Sequence, residues 1–162
     1  YHQAIDRVID QCLATGIAPA LLSLHSFTES WKGAPRPSPV GILWDKDPRL
    51  ARPLLDGFYA EGDLIVGDNQ PYSGQLEGDC LWQHATERGL ASAIIEFRQD
   101  LVRDDAGQSA WTARTLAIVR GILSHIEHGP RLRTVEKHGS HAGTPRKARR
   151  MLALHKAPEK SP

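Results

Sequence analysis

Glu96 interrupts one of the most apolar stretches of this sequence, Ser92-Ala93-Ile94-Ile95-Glu96-Phe97-Arg98. A carboxylate set in such a run either finds a partner, pays several kcal/mol for burial, or takes up a proton. Two chemistries fit it: a catalytic acid or base, or an ion pair with Arg98, which lies two positions on and so shares its strand face. His25 follows the run Ala20-Leu21-Leu22-Ser23-Leu24. Neutral imidazole is the commonest side-chain ligand of zinc, and a core histidine satisfied by hydrogen bonds is the competing reading.

Further polar residues cluster in turn-rich segments. Gly67-Asp68-Asn69-Gln70-Pro71-Tyr72-Ser73-Gly74 is a polar loop directly after an apolar run, and Asn69 and Tyr72 offer directed hydrogen bonds to a substrate. An ordinary Gly/Asn/Pro turn has the same composition. His84 and Arg88 stand at i and i+4 before Gly89, the spacing of one helix face and commonly of a surface pair. Arg36, in the Pro-rich segment 33–39, has the fork that grips a carboxylate, or it is simply solvated.

These residues need a scaffold, and the pattern around them predicts one. Ile5, Val8, Ile9, Cys12 and Leu13 make one apolar helix face, with Gly16 as its stop. Four short apolar runs follow, Ala20 to Leu24, Val40 to Trp44, Leu64 to Val66 and Ala93 to Phe97. Short continuous runs bounded by Gly, Pro and Asp suit strands buried on both faces. Asp47-Pro48 marks a helix start, with Pro53 expected to bend or restart that helix, and Ala110 to Ile126 reads as a long helix. The expected fold class is α/β, a mixed, mostly parallel sheet flanked by helices. Ligands of such sheets gather at the carboxyl ends of the strands, where His25, Asn69 and Glu96 all fall. No Gly-rich dinucleotide fingerprint or phosphate loop is present, and the set suits metal-assisted hydrolysis better than nucleotide binding.

The 162 residues suffice for one cored domain, and no apolar run reaches the ~20 residues that span a bilayer. Cys12 and Cys80 form no metal-binding or redox spacing with each other, and so few thiols suggest a reduced, cytoplasmic protein. The net charge of +1 conceals an asymmetry: from Pro130 onward nine Lys or Arg face two Glu, so the remainder is acidic. The expected division is a catalytic portion, 1–126, and a basic, disordered tail, 127–162, in which Thr144-Pro145 could cap a short basic helix. The tail has no aromatic residues interleaved for base stacking, so nucleic acid is not the expected partner. The first helix has a stop but no capping residue before it, which suggests further sequence upstream.

Five segments occur in an order that resembles one family. They are Leu22-Ser23-Leu24-His25-Ser26-Phe27-Thr28, Val40-Gly41-Ile42-Leu43-Trp44, Val66 to Gly74, His84 with Arg88-Gly89-Leu90, and Ile95-Glu96-Phe97-Arg98-Gln99-Asp100-Leu101. They closely resemble the C-terminal half of N-formylglutamate amidohydrolases and related N-formyl-amino-acid deformylases. The resemblance covers approximately Tyr1 to Ile126. It implies a zinc-carboxypeptidase-like α/β fold that lacks its N-terminal strands here. It also implies hydrolysis of an N-formyl amide to formate and a free amino acid, with zinc or another divalent metal as cofactor and a small N-formyl amino acid as substrate. His25 would match a metal ligand and Glu96 the carboxylate that activates water. Arg98, Asn69 and Tyr72 would be candidates for substrate contacts. Further metal ligands are expected on an earlier strand outside these residues, so an inactive fragment is one expected outcome. The rival reading is a non-catalytic remnant whose basic tail binds an anionic partner. Ser38-Pro39 departs from the bulkier aromatic and His pair often found in relatives, which leaves substrate specificity open.

Overall fold

A computed structural model describes residues 1–141. The expected basic helix at Thr144 and most of the tail lie outside the described residues. Helix α1 (His2–Ala14) leads into strand β1 (Leu21–Phe27), a two-strand hairpin β2 (Ser30–Trp31) and β3 (Ala34–Pro35), and strand β4 (Val40–Leu43). Then come α2 (Pro48–Ala60), β5 (Val66–Asp68), a π-helical turn (Trp82–Thr86), β6 (Ser92–Arg98), α3 (Asp105–Ser124) and the short α4 (His128–Arg131). No helix among the described residues is long and apolar enough to cross a membrane.

The sheet order is β1-β6-β4-β5, with β1 parallel to β6, β4 parallel to β5, and β4 antiparallel to β6. The mixed, mostly parallel sheet expected from the apolar runs is thus present. The strands extend into the polar residues that closed those runs, because ladder pairing continues past the apolar stretch: β1 runs on through His25 to Phe27. Strand alternation divides the side chains. Val40, Ile42, Ala93 and Ile95 pack with Leu50, Leu54, Leu55 and Phe58 of α2 in the main core, against which Ile118 and Val119 of α3 are laid. On the other side, Ile9 of α1 packs with Ala18, Ala85 and Leu90.

Asp47 caps α2 by accepting from the Arg49 backbone N–H at 3.0 Å, with Pro48 in the first helical position. Pro53 lies inside α2 without ending it, contrary to the expected restart. The apolar face that α2 buries holds the helix together across the residue that lacks an N–H. The segment read as the start of a tail, 127–141, lies against the body. Leu132 is buried in the main core, and the Glu136 backbone N–H donates to the Gly89 carbonyl at 2.8 Å.

Candidate active site at the ends of β1 and β6

The parallel pairing of β1 with β6 sets His25 opposite Glu96, so both side chains leave the same face of the sheet. His25 Nδ1 stands 3.7 Å from Glu96 Oε1, too far for a hydrogen bond but close enough for an ion pair when the imidazole is protonated. The His25 side chain is 55% exposed and that of Glu96 only 7%. Glu96 Oε2 is buried and has no hydrogen-bond partner among the described residues. Burial pushes the Glu96 carboxyl above the ordinary range, and the charges of His25 and Arg36 pull it partly back. A carboxyl with a raised pKa and an unclaimed oxygen beside an exposed imidazole is equipped to take and return a proton.

Arg36 is delivered by the β2–β3 hairpin. Lys32 and Gly33 form its two-residue turn, both at positive φ (51° and 80°), the backbone that a tight hairpin requires. The Arg36 guanidinium carbon lies 5.4, 5.6 and 5.1 Å from the ring centres of Phe27, Trp31 and Tyr72. Its Nη2 donates to the Tyr72 hydroxyl at 3.1 Å. This aromatic seat fixes a cation near Glu96. Arg98 serves the same loop from behind. Its Nε and Nη2 donate to Asp100 at 2.8 and 3.1 Å, and its Nη1 donates to the Arg36 carbonyl at 2.9 Å. The ion pair weighed from spacing, Glu96 with Arg98, does not form, because Arg98 engages Asp100 and Glu96 faces His25. The Arg98 cation holds the Asp100 carboxyl below its ordinary range.

Asn69 is used within the protein. It adopts φ 52°, and its Oδ1 accepts from the backbone N–H groups of Trp44 and Gly74, both at 3.0 Å. It therefore shapes the loop that carries Tyr72, rather than presenting its amide oxygen to a substrate. The loop lies tightly on the sheet: a Cβ on Gly41 would collide with the Gln70 carbonyl oxygen, and one on Gly74 with the Trp44 backbone. Asn69→Ala strands two donors and places a Cβ-bearing residue without side-chain compensation at positive φ. It is expected to cost about 1–3 kcal/mol in urea unfolding. Asn69→Gly, which relieves the φ strain, should recover only part of that loss; full recovery would show that the two hydrogen bonds contribute little.

His84, a candidate for substrate binding or for a surface pair with Arg88, does not lie on the surface. It is only 2% exposed, because the π-helical turn packs it under α1. The shared partner is Asp6: His84 Nδ1 meets Asp6 Oδ1 at 2.9 Å, and Arg88 Nη1 reaches the same oxygen at 3.4 Å while also pairing with Asp10. Across from Asp6, His84 Nε2 hydrogen-bonds His2 Nδ1 at 2.8 Å. Together with Cys80 these histidines form the one group of three potential metal ligands among the described residues. Comparing only the two cysteines with each other misses that group. The signal that finds it is the i, i+4 spacing of Cys80 and His84. Beside it, burial raises the Asp79 carboxyl above its usual range, opposed by backbone hydrogen bonds from Trp82 and Leu81 and by the charge of His25.

The family model described as N-formylglutamate amidohydrolase matches residues 1–103, a span that contains His25, Arg36, Asn69, Tyr72, His84, Glu96 and Arg98. The chain belongs to the N-formylglutamate amidohydrolase family. Among solved structures it is similar to gene product Atu2144 from Agrobacterium tumefaciens, at 32% identity and a TM-score of 0.62. That alignment covers 75% of this chain and 50% of the other, so the chain spans about half the length of its solved relative. A comparison with curated proteins found no match.

For a member of the N-formylglutamate amidohydrolase family, the fit to a catalytic metal can be tested on the donors present. A catalytic zinc takes three protein ligands. His25 supplies one imidazole, and Glu96 stands beside it with a free oxygen. No three-ligand group forms around His25 among the described residues, so these residues do not by themselves hold a catalytic zinc.

Proposed function

We propose that this chain carries the proton-transfer and substrate-anchoring half of an amidohydrolase that cleaves the amide of N-formylglutamate or a related N-formyl amino acid. The products are formate and the free amino acid. The observation that supports this reading best is the buried Glu96 with an unclaimed oxygen, beside His25 on one side and within the influence of Arg36 on the other. In the proposed reaction Glu96 takes a proton from the attacking water and returns it to the leaving amine. Arg36, held in place by Tyr72 and by Arg98 behind it, grips a substrate carboxylate. His25 would be one ligand of a divalent metal such as zinc, a group that supplies polarisation of the formyl carbonyl when bound, and no further ligands for it gather around His25 among the described residues. The free thiols of Cys12 and Cys80 fit a reducing, cytoplasmic setting.

The test is formate release from N-formylglutamate by zinc-supplemented protein in which this chain is joined to the other half of the length that its solved relative spans, comparing wild type with Arg36→Ala and His25→Ala. Loss of a charge-assisted hydrogen bond is worth about 1.5–3 kcal/mol, so Arg36→Ala is expected to raise KM by about 10- to 100-fold. His25→Ala is expected to abolish turnover. Equal turnover by wild type and His25→Ala, or an unchanged KM on removing Arg36, would overturn the assignment of those residues. Failure to release formate from any N-formyl amino acid would overturn the activity itself.

A further inference from the structure

We propose that His2, Cys80 and His84 form a second metal site, sharing no residue with the His25–Glu96 pair, that binds a zinc-class divalent cation and clamps α1 to the π-helical turn. Their ligand atoms all lie within 4.8 Å of one another. In a tetrahedral zinc site, Zn–N of about 2.0–2.1 Å and Zn–S of about 2.3 Å place neighbouring donors roughly 3.3–3.6 Å apart. The trio is therefore nearly assembled. The His2–His84 contact at 2.8 Å must open slightly, and His2 is exposed and on the first turn of α1, where it can move. Two imidazoles and one thiolate form a borderline-soft donor set that suits zinc and disfavours magnesium or calcium.

The surroundings also resemble a metal site. Cys80 and His84 are four apart, a spacing that places two ligands on one helix face. The backbone around His84 is π-helical, with the Glu87 N–H bonded to the Trp82 carbonyl at 3.0 Å, a form of helix found mostly at functional sites. His84 already has the outer partner that a metal-bound histidine requires. Asp6 holds its Nδ1 at 2.9 Å, which fixes Nδ1–H and leaves Nε2 facing His2 and Cys80 as a bare donor. The Tyr1 hydroxyl lies 3.5 Å from Cys80 Sγ, placed to donate to a thiolate.

Binding is balanced in protons. Cys80 gives up its thiol proton to solvent, and His2 moves its proton from Nδ1 to Nε2 as Nδ1 turns to the ion. One proton is therefore released for each ion bound. The fourth position of a tetrahedral ion remains open to water.

The site is tested by titrating the full chain with Co(II) and following the visible and near-ultraviolet spectrum, then displacing cobalt with zinc. The expected result is a thiolate-to-cobalt charge-transfer band that saturates at one ion per chain. It should vanish in Cys80→Ser, weaken in His2→Gln, and persist in both Cys12→Ser and His25→Ala. Asp6→Asn should weaken affinity by about 10- to 100-fold. Because buried His84 is a risk to folding, the exposed His2→Gln variant carries the stability readout: zinc should raise the thermal midpoint of wild type and leave that of His2→Gln nearly unchanged. Absence of the charge-transfer band, its survival in Cys80→Ser, or its loss in His25→Ala would each overturn the proposal. The proposed hydrolysis at His25 and Glu96 could fail its own test without affecting any of these outcomes.

Discussion

Glu96→Gln is expected to make the protein more resistant to urea at neutral pH and, if the proposed amide hydrolysis holds, to lower it by about 10²- to 10⁴-fold, the contribution of a positioned general base. Both effects have one cause. Burial raises the Glu96 pKa in the folded state above its unfolded value, so the ionised carboxylate costs stability. That cost is absent below the unfolded pKa, grows as pH rises through the folded pKa, and is complete above it. Gln has the same shape and no charge, so its advantage should be largest near pH 8 and fade towards about pH 4. Urea midpoints of wild type and variant across that range, without added metal, test the point. Curves that coincide at neutral pH and separate only in acid would show that Glu96 is not strained by burial. Wild-type activity in the variant would remove it from the chemistry.

Arg49→Met is expected to be the most damaging single change to stability, about 3–5 kcal/mol in denaturant unfolding. The Arg49 side chain is fully buried. Its Nε and Nη2 clasp Asp47, the residue that caps α2, with Nη2 to Oδ2 at 2.6 Å. Its Nη1 reaches the Thr134 carbonyl at 2.7 Å and its Nη2 the Gly89 carbonyl at 2.9 Å. One guanidinium thus joins the start of α2, the turn before β6 and the segment after α4. Removing it leaves a partly buried carboxylate and several carbonyls without donors. Lys cannot replace a planar fork with five donors, so Arg49→Lys should recover little. Arg52→Met is the control: Arg52 is largely exposed and its 3.7 Å contact with Asp68 should be worth less than ~1 kcal/mol. A loss below that for Arg49→Met would show that the backbone contacts hold without it.

The α/β sheet was legible because four apolar runs bounded by breakers carry most of its core, from Val40 and Ile42 to Ala93 and Ile95. Glu96 was legible for the same reason, as a charge where the pattern demands an apolar side chain. What pairs with it was not. Arg98 has the correct spacing for Glu96, yet Asp100 offers it a bidentate partner two residues on, and His25 is brought to Glu96 only by strand register. The seat of Arg36 is built from Phe27, Trp31 and Tyr72, which no local window joins. Arg49 reads as an ordinary helix-start arginine until the segment around Thr134 folds back over it. The helical spacing of His84 was legible but its burial was not, because the cover comes from His2 and Asp6 of α1, far away in sequence.

The pairing of β1 with β6 also has a kinetic consequence. Between His25 and Glu96 the chain makes a hairpin, two strands, α2 and the π-helical turn before it returns. The two side chains therefore meet only after a large loop has closed, a slow and entropically costly event compared with helix formation. A spectroscopic probe at His25 should reach its native signal later in refolding than the helical signal of α2 and α3. The same long excursion means that insertions or deletions in the connecting segments can be absorbed without shifting the register on which the His25–Glu96 distance depends.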